Sequence, residues 1–312
     1  MKILVTGAKG FLGRFLVRHL RDQKLEVVET DILDSVLTDY WQTHELVREA
    51  KPDVIMNLAA LAGASGTGGA PESKKSPHKF FQTNVSISLN VFEAARQLDV
   101  SSVLQMSSFS PYGRIDPGVT IDEDTPLRPN NPYGGSKACV ETIAKVYSEC
   151  YGIRCVLFRA PLLAGEGQKE QNAIQEFIRL AIEGKDITIF GDGKHRREWL
   201  HPLDISRAYE KAIGYVERVK GLDTIVLGTE MNRISMVELA GMIIRKVGRG
   251  RLEFSPTTSL VFDQITNASK ARDLLGWSAQ ISLNEIIDRI LVHDHNVQPR
   301  SSESRAVARA KS

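Results

Sequence analysis

The stretch KILVTGAKGFLG, residues 2–13, decides the reading of the chain. Ile3, Leu4 and Val5 form a short apolar run closed by Thr6 and Gly7, as expected of a strand buried on both faces. Gly7, Gly10 and Gly13 follow at regular spacing, and Phe11, Leu12, Phe15, Leu16 and Leu20 then fall on one side of a helix. Strand, glycine turn and helix in this order bring a phosphate to a helix N-terminus. The free backbone N–H groups and the helix dipole there favour an anion. Gly7 suits the tight turn, Gly10 the approach of a pyrophosphate, and Gly13 the close packing of helix on strand.

The G-x-x-G-x-x-G spacing is not the commonest dinucleotide fingerprint, and a glycine turn in another kind of α/β protein would look the same. The next acid weighs toward a cofactor. Asp31 closes a second apolar run, residues 25–30, where a carboxylate can take both ribose hydroxyls of an adenosine. It also repels a 2′-phosphate, so NAD is favoured over NADP, although Lys9 and Arg14 leave NADP open.

Outward from this stretch, strand-like runs at residues 53–59, 102–107 and 154–159 alternate with helical ones at 79–98 and 133–151. This is βαβ alternation, hence a Rossmann-type, doubly wound parallel sheet with helices on both faces. Ligands of such sheets bind at the carboxyl ends of the strands. Gly7, Asp31, Ala59-Ala60, Ser107-Ser108 and Arg159 each follow a strand. Residues 62–77 read as a long surface loop, and 111–132, rich in proline and acids, as a second. After about residue 165 the order changes. Residues 170–184 and 236–247 read as helices, 186–190 and 224–227 as strands, and 191–193 as a turn. This predicts a cofactor domain over 1–165, to which some later segments return, and a smaller mixed α/β substrate domain over 166–295. Residues 296–312 lose all periodicity and read as a disordered tail.

With 312 residues the chain is long enough for this division, and 42% hydrophobic and 25% charged residues are ordinary globular composition. A net charge of +2 points to neither nucleic acid nor membrane as a partner. Cys139, Cys150 and Cys155 form no C-x-x-C pair and read as reduced thiols. The first strand begins at once, and no stretch is long and apolar enough to span a bilayer. The expected location is cytoplasmic.

Tyr133 and Lys137 stand four apart, on one face of a helix. A lysine cation favours the phenolate, so this pair is expected to lower the tyrosine pKa and to serve proton transfer near neutral pH. Lys137 could also donate to a cofactor ribose. A serine hydroxyl at 107 or 108, ending the preceding strand, could bond the oxygen of a reacting alcohol. Y-x-x-x-K alone occurs by chance in many helices. In this order with the glycine turn, Asp31 and the serines it carries more.

The chain resembles the extended short-chain dehydrogenase/reductases, within the NAD-dependent epimerase/dehydratase family that acts on nucleotide sugars. The matching stretches are TGAKGFLG (6–13), NLAALAG (57–63), SSFSPYG (107–113), PYGGSK (132–137), GDGKHRREWLHPLD (191–204) and LLGW (274–277). The resemblance implies a catalytic set of Ser108, Tyr133 and Lys137. It implies a cofactor set of Gly7, Gly10, Phe11, Leu12, Gly13, Asp31, Ile32, Leu58, Ala59, Ala60, Asn84, Ser107, Tyr133, Lys137 and Arg159. Ser108, Asn172 and Arg197 would contact the substrate, the last two at the sugar's diphosphate, while His201 reads as a packed residue. Arginine suits that task because its fork matches phosphate oxygens.

Departures are also visible. No acid stands beside Ser108, which counts against a 4,6-dehydratase. Leu162 replaces an asparagine, Glu198-Trp199 replaces Asp-Phe, and Val36 falls where an acid near the adenine is usual. The expected activity is epimerisation through transient oxidation of a sugar hydroxyl. Net reduction of a keto sugar, oxidation of a small alcohol, and a non-catalytic dinucleotide sensor are the alternatives. The resemblance also implies a homodimer through helices at 79–98 and 133–151, whose faces the sequence leaves unassigned.

Overall fold

The computed structural model describes residues 1–31, 37–62, 70–116, 118–169, 172–256 and 263–300. The chain opens with β1 (Lys2–Thr6), α1 (Phe11–Asp22), β2 (Glu26–Thr30), α2 (Tyr40–Ala50) and β3 (Val54–Asn57). Next come α3 (Ala70–Lys75), α4 (Pro77–Gln97), β4 (Ser102–Met106), α5 (Pro132–Tyr151) and β5 (Arg154–Arg159). The second half holds β6 (Leu162–Leu163), α6 (Ala173–Ile182), β7 (Asp186–Phe190), β8 (Arg196–Leu200), α7 (Pro202–Val216) and β9 (Leu222–Val226). It ends with β10 (Arg233–Ser235), α8 (Met236–Val247), β11 (Arg251–Ser255), α9 (Ser269–Leu275) and α10 (Leu283–His295).

The main sheet has the order β2-β1-β3-β4-β5-β9, and every pairing in it is parallel. Alternate residues of its strands feed two cores, as a sheet covered on both faces requires. Ile3, Val5, Met56, Val156 and Phe158 pack with Leu16, Leu20 and Tyr209 of α1 and α7. Leu4, Ile55, Val103 and Leu157 pack with Val91, Phe92 and Ala144 of α4 and α5. From β1 the chain crosses one way to β2, and β3 lies on the other side. The crevice at their carboxyl ends is therefore a topological switch point.

Above this sheet lies a second layer: β10-β8-β6, the pair β11-β7, and helices α6, α8 and α10 around the buried Trp199. β9 and α7 return from it to the first layer, β9 pairing with β5 and α7 packing on α1. The expected strand at 224–227 thus belongs to the main sheet.

Three local expectations are corrected. The stretch expected as one long loop over 62–77 contains α3 and the start of α4; residues 63–69 lie outside those described. Pro77 sits in the first turn of α4, where its missing N–H costs nothing. α6 starts at Ala173, with Asn172 as its N-cap. Finally, the chain from 296 to 300 does not leave the body: Val297 packs on the second core, and the Arg300 N–H donates to the Lys246 carbonyl. Residues 301–312 of the expected tail lie outside those described.

Candidate active site

The glycine turn after β1 is closed by backbone. Gly7 has φ +69°, and a Cβ there would lie 2.8 Å from the Ala59 nitrogen. A Cβ on Gly13 would lie 2.1 Å from the Gly7 carbonyl oxygen, so helix and strand pack at glycine distance. Gly10 is the N-cap of α1. No side chain caps this helix and its first turn carries no acid. Its N–H groups therefore face the crevice as an anion site needs. Asp31 completes the cradle: its Oδ2 accepts from the Lys9 N–H at 2.9 Å, and the Thr30 carbonyl accepts from Ala8 at 3.0 Å. These residues fit a dinucleotide.

Leu58, Ala59 and Ala60 follow β3 at the same end of the sheet, and Phe11 and Leu12 lie half-buried in the first turn of α1. Ile32, and Val36 where an acid was expected, lie outside the described residues. Asn84, on α4, is buried and holds the chain after Ala60 in both directions. It accepts from the Leu61 N–H at 2.7 Å and donates to the Leu61 carbonyl at 3.1 Å. It also donates to Ser136 at 2.9 Å, joining α4 to α5.

Tyr133 and Lys137 stand on the first turns of α5, which Asn131 caps and Pro132 enters. Gly134 lets this helix start close against the Ser110 carbonyl, 2.5 Å from where a Cβ would be. Both side chains are nearly closed to solvent, Tyr133 at 9% and Lys137 at 3%. The Ser108 hydroxyl lies near enough to the Tyr133 phenol to lower its pKa, and accepts from the Ser110 N–H at 3.1 Å. Ser108, Tyr133 and Lys137 are thus brought together at the ends of β4 and α5.

The electrostatics correct one expectation. Burial pushes the Tyr133 pKa up, and the Ser108 hydroxyl offsets only part of this. Lys137 does not act on the phenol as expected. Its Nζ donates to the Met106 carbonyl at 3.1 Å, and burial pulls its own pKa down to about 8 against the pull of Glu141.

Ser107 and Arg159, expected in the cofactor groove, turn inward. The Ser107 hydroxyl donates to Glu141. Arg159 pairs with Glu141 at 2.8 Å and reaches the Tyr112 hydroxyl at 3.0 Å. Glu141 was missed in the sequence, although it continues the spacing of Tyr133 and Lys137. A second unforeseen network lies under the crevice. Thr6 donates to Asn57 at 2.6 Å, and Asn57 donates to Gln105 at 2.8 Å. These residues sit in register across β1, β3 and β4.

Asn172, expected at a diphosphate, is committed to the fold. Its Oδ1 accepts from Ile174 and Gln175, and its amide donates to the Leu163 carbonyl and to Gln168. Arg197, on β8, is half-buried and donates to the Arg196 carbonyl at 3.2 Å. Burial lowers its pKa and Asp263 raises it back in part. His201 is a packed residue. Its Nδ1 accepts from Leu203 at 3.1 Å, so Nε2 carries the proton and donates to Glu166 at 2.9 Å. Burial works against the Glu166 charge, but His201, with help from Arg289, holds its pKa down to about 2.

Residues 3–228 match the model of the NAD dependent epimerase/dehydratase family. A UDP-glucose 4-epimerase of Streptococcus mutans is 28% identical, over 98% of this chain and 100% of its own. The low-salt glycan biosynthesis protein Agl12 of Haloferax volcanii is 27% identical, over 91% of this chain and 96% of its own. The crystal structure of the UDP-glucose 4-epimerase of Brucella ovis in complex with NAD superposes with a TM-score of 0.86 at 23% identity. It covers 96% of this chain and 99% of that one.

Proposed function

Because the chain belongs to the NAD-dependent epimerase/dehydratase family, we propose that it is an NAD-dependent epimerase of a nucleotide sugar. The observation that carries this reading is the convergence of Ser108 and Tyr133, one helical turn from Lys137, at the strand ends that also form the glycine cradle. Bound NAD would supply a two-electron acceptor that takes a hydride from the sugar and gives it back. Tyr133 takes the proton of the hydroxyl at carbon 4, and Ser108 donates to the oxygen as it becomes a carbonyl. Lys137, one helical turn from Tyr133, would donate to the cofactor ribose. The keto sugar turns to present its other face, and Tyr133 gives the proton back. No net oxidation results. Arg197 on β8 supplies a cation for the diphosphate that anchors the turning sugar, and the second layer holds the nucleotide. UDP-glucose, named for the relatives, is the first candidate substrate.

A homodimer in the cytoplasm belongs to the same proposal. Phe92 and Val140 face the core, whereas Phe81, Leu89 and Val146 leave apolar surface on the outer faces of α4 and α5. Light scattering of the purified chain tests this. The activity is tested by incubating the protein and NAD with a panel of UDP- and dTDP-sugars, following sugars by NMR and NADH by absorbance. Epimer without lasting NADH, lost in Tyr133→Phe, is expected. Accumulating NADH with a keto product would make it a dehydrogenase instead.

A further inference from the structure

Glu141 stands four residues after Lys137 and eight after Tyr133, so the three share one face of α5. It is 7% exposed and takes no part in the proton transfer itself. Yet several groups converge on its carboxylate. Ser107 donates to it. Arg159 brings Nη2 to 2.8 Å of Oε2 and Nε to 3.2 Å of both oxygens. Arg159 Nη1 continues to the Tyr112 hydroxyl at 3.0 Å and the Glu123 carbonyl at 2.9 Å, and Tyr112 donates to the Asp122 carbonyl at 2.7 Å. One carboxylate therefore ties together the ends of β4 and β5 and the loop that leads into Tyr133.

The surroundings give that carboxylate a second effect. Lys137 is faced by Tyr133 and Glu141 from its own helix. β4 offers it the neutral Met106 carbonyl, and α4 brings Phe80 against Tyr133. Arg159 and Tyr112 lie beyond Glu141, and the Glu123 carboxylate is turned to the Val226 N–H at 2.8 Å. Among the described residues, Glu141 is the charge that acts on Lys137.

We infer that Glu141 is a positioning residue for the proton-transfer pair: its carboxylate is the counter-charge of Lys137 and fixes Ser107, and through it Ser108. The inference rests on the proposed roles of Ser108, Tyr133 and Lys137.

The direct test is NMR titration of the full chain, with lysine labelled at 13Cε and Lys137→Met used for assignment. Wild-type Lys137 is expected to titrate near pH 8, as its burial against Glu141 implies. In Glu141→Gln the midpoint should fall by about one pH unit, and Glu141→Asp should return it toward wild type. With UDP-glucose as probe, or the sugar that the panel identifies, the alkaline limb of kcat should move down alongside, with KM little changed. Ser107→Ala, which keeps both charges, should lower kcat several-fold and leave the limb in place.

An unmoved Lys137 midpoint in folded Glu141→Gln would overturn the counter-charge role. Full kcat in Ser107→Ala would overturn the positioning role. If Glu141→Gln does not fold, Glu141→Gln/Arg159→Gln, which removes both members of the buried Arg159–Glu141 pair, is titrated in its place with the same expectation. Full activity in Tyr133→Phe would instead bring down the underlying reading, whatever Glu141 does.

Discussion

Asp31 accepts a hydrogen bond from the backbone N–H of Lys9 at 2.9 Å, so the carboxylate at the end of β2 is locked onto the glycine turn after β1. The two halves of the cofactor signature, separate in sequence, are one rigid piece in the fold. Asp31→Ala should therefore loosen the turn as well as remove the ribose contact. Losing bonds to a charged group of this kind costs about 1.5–3 kcal/mol. NAD affinity should fall by roughly one to two orders of magnitude, and the preference for NAD over NADP should shrink. Calorimetric titration with each dinucleotide checks both. An unaltered NAD to NADP ratio would remove Asp31 from the ribose.

Two helical glycines should respond with opposite signs. In Gly13→Ala the new Cβ would meet the Gly7 carbonyl at 2.1 Å and the Ala8 carbonyl at 2.7 Å, both backbone atoms that no rotamer change can clear. α1 must shift away from β1, at a cost of about 2 kcal/mol or more, and NAD binding should be lost with it. Gly214, exposed on α7, has nothing within 4 Å of its Cβ position. Gly214→Ala should stabilise the protein by about 0.5–1 kcal/mol, since alanine loses less backbone freedom in a helix. Denaturant melts of the pair, with NAD titrations, read both outcomes.

The order of strands and helices in the first half was legible because buried parallel strands are short apolar runs and the helices between them are amphipathic. The glycine turn, and the shared helix face of Tyr133 and Lys137, were legible because each depends on local spacing. Ser107 and Arg159 were not. Each follows a strand, as a cofactor contact would, but what decides the direction of each side chain is Glu141, on the helix that crosses from β4 to β5. Asn172 carried a local signal that pointed the other way. An asparagine followed three residues later by Gln175, before an apolar run, is a helix start, and its side chain is used as a cap. The return of β9 to the main sheet had no local signal, because it rests on pairing with β5, far back in the chain.

Tyr133→Phe isolates the proton transfer. The side chain is buried against Phe80, with ring centroids 6.4 Å apart, so the phenyl ring keeps its place while the hydroxyl beside Ser108 goes. Turnover should fall by about two to four orders of magnitude, the usual worth of a positioned acid–base group. The affinity for NAD should change little. A comparable loss of NAD binding would mean that Tyr133 holds the cofactor more than it moves a proton.

A buried and a half-buried glutamate should give stability opposite slopes with pH. Glu198 is fully buried and accepts from the Thr229 N–H at 3.0 Å; burial pushes its pKa up to about 7. The folded protein then binds a proton that the unfolded chain releases above about 4.5. The favourable contribution is complete below that value and is lost as pH rises through 7. Glu198→Gln, which keeps the shape and needs no proton, should flatten this limb and stabilise the protein at pH 8 by roughly 2–3 kcal/mol. Glu166, bonded to His201, runs the other way. Its pKa is held at about 2, so its contribution is complete above about 4.5 and is lost as pH falls toward 2. Glu166→Gln should cost stability at neutral pH and leave the most acid end unchanged. Melting temperatures of wild type and both variants from pH 3 to 9 resolve the two limbs. Parallel curves for Glu198→Gln and wild type would mean that the Glu198 carboxyl stays ionised inside the fold, with burial failing to hold its proton.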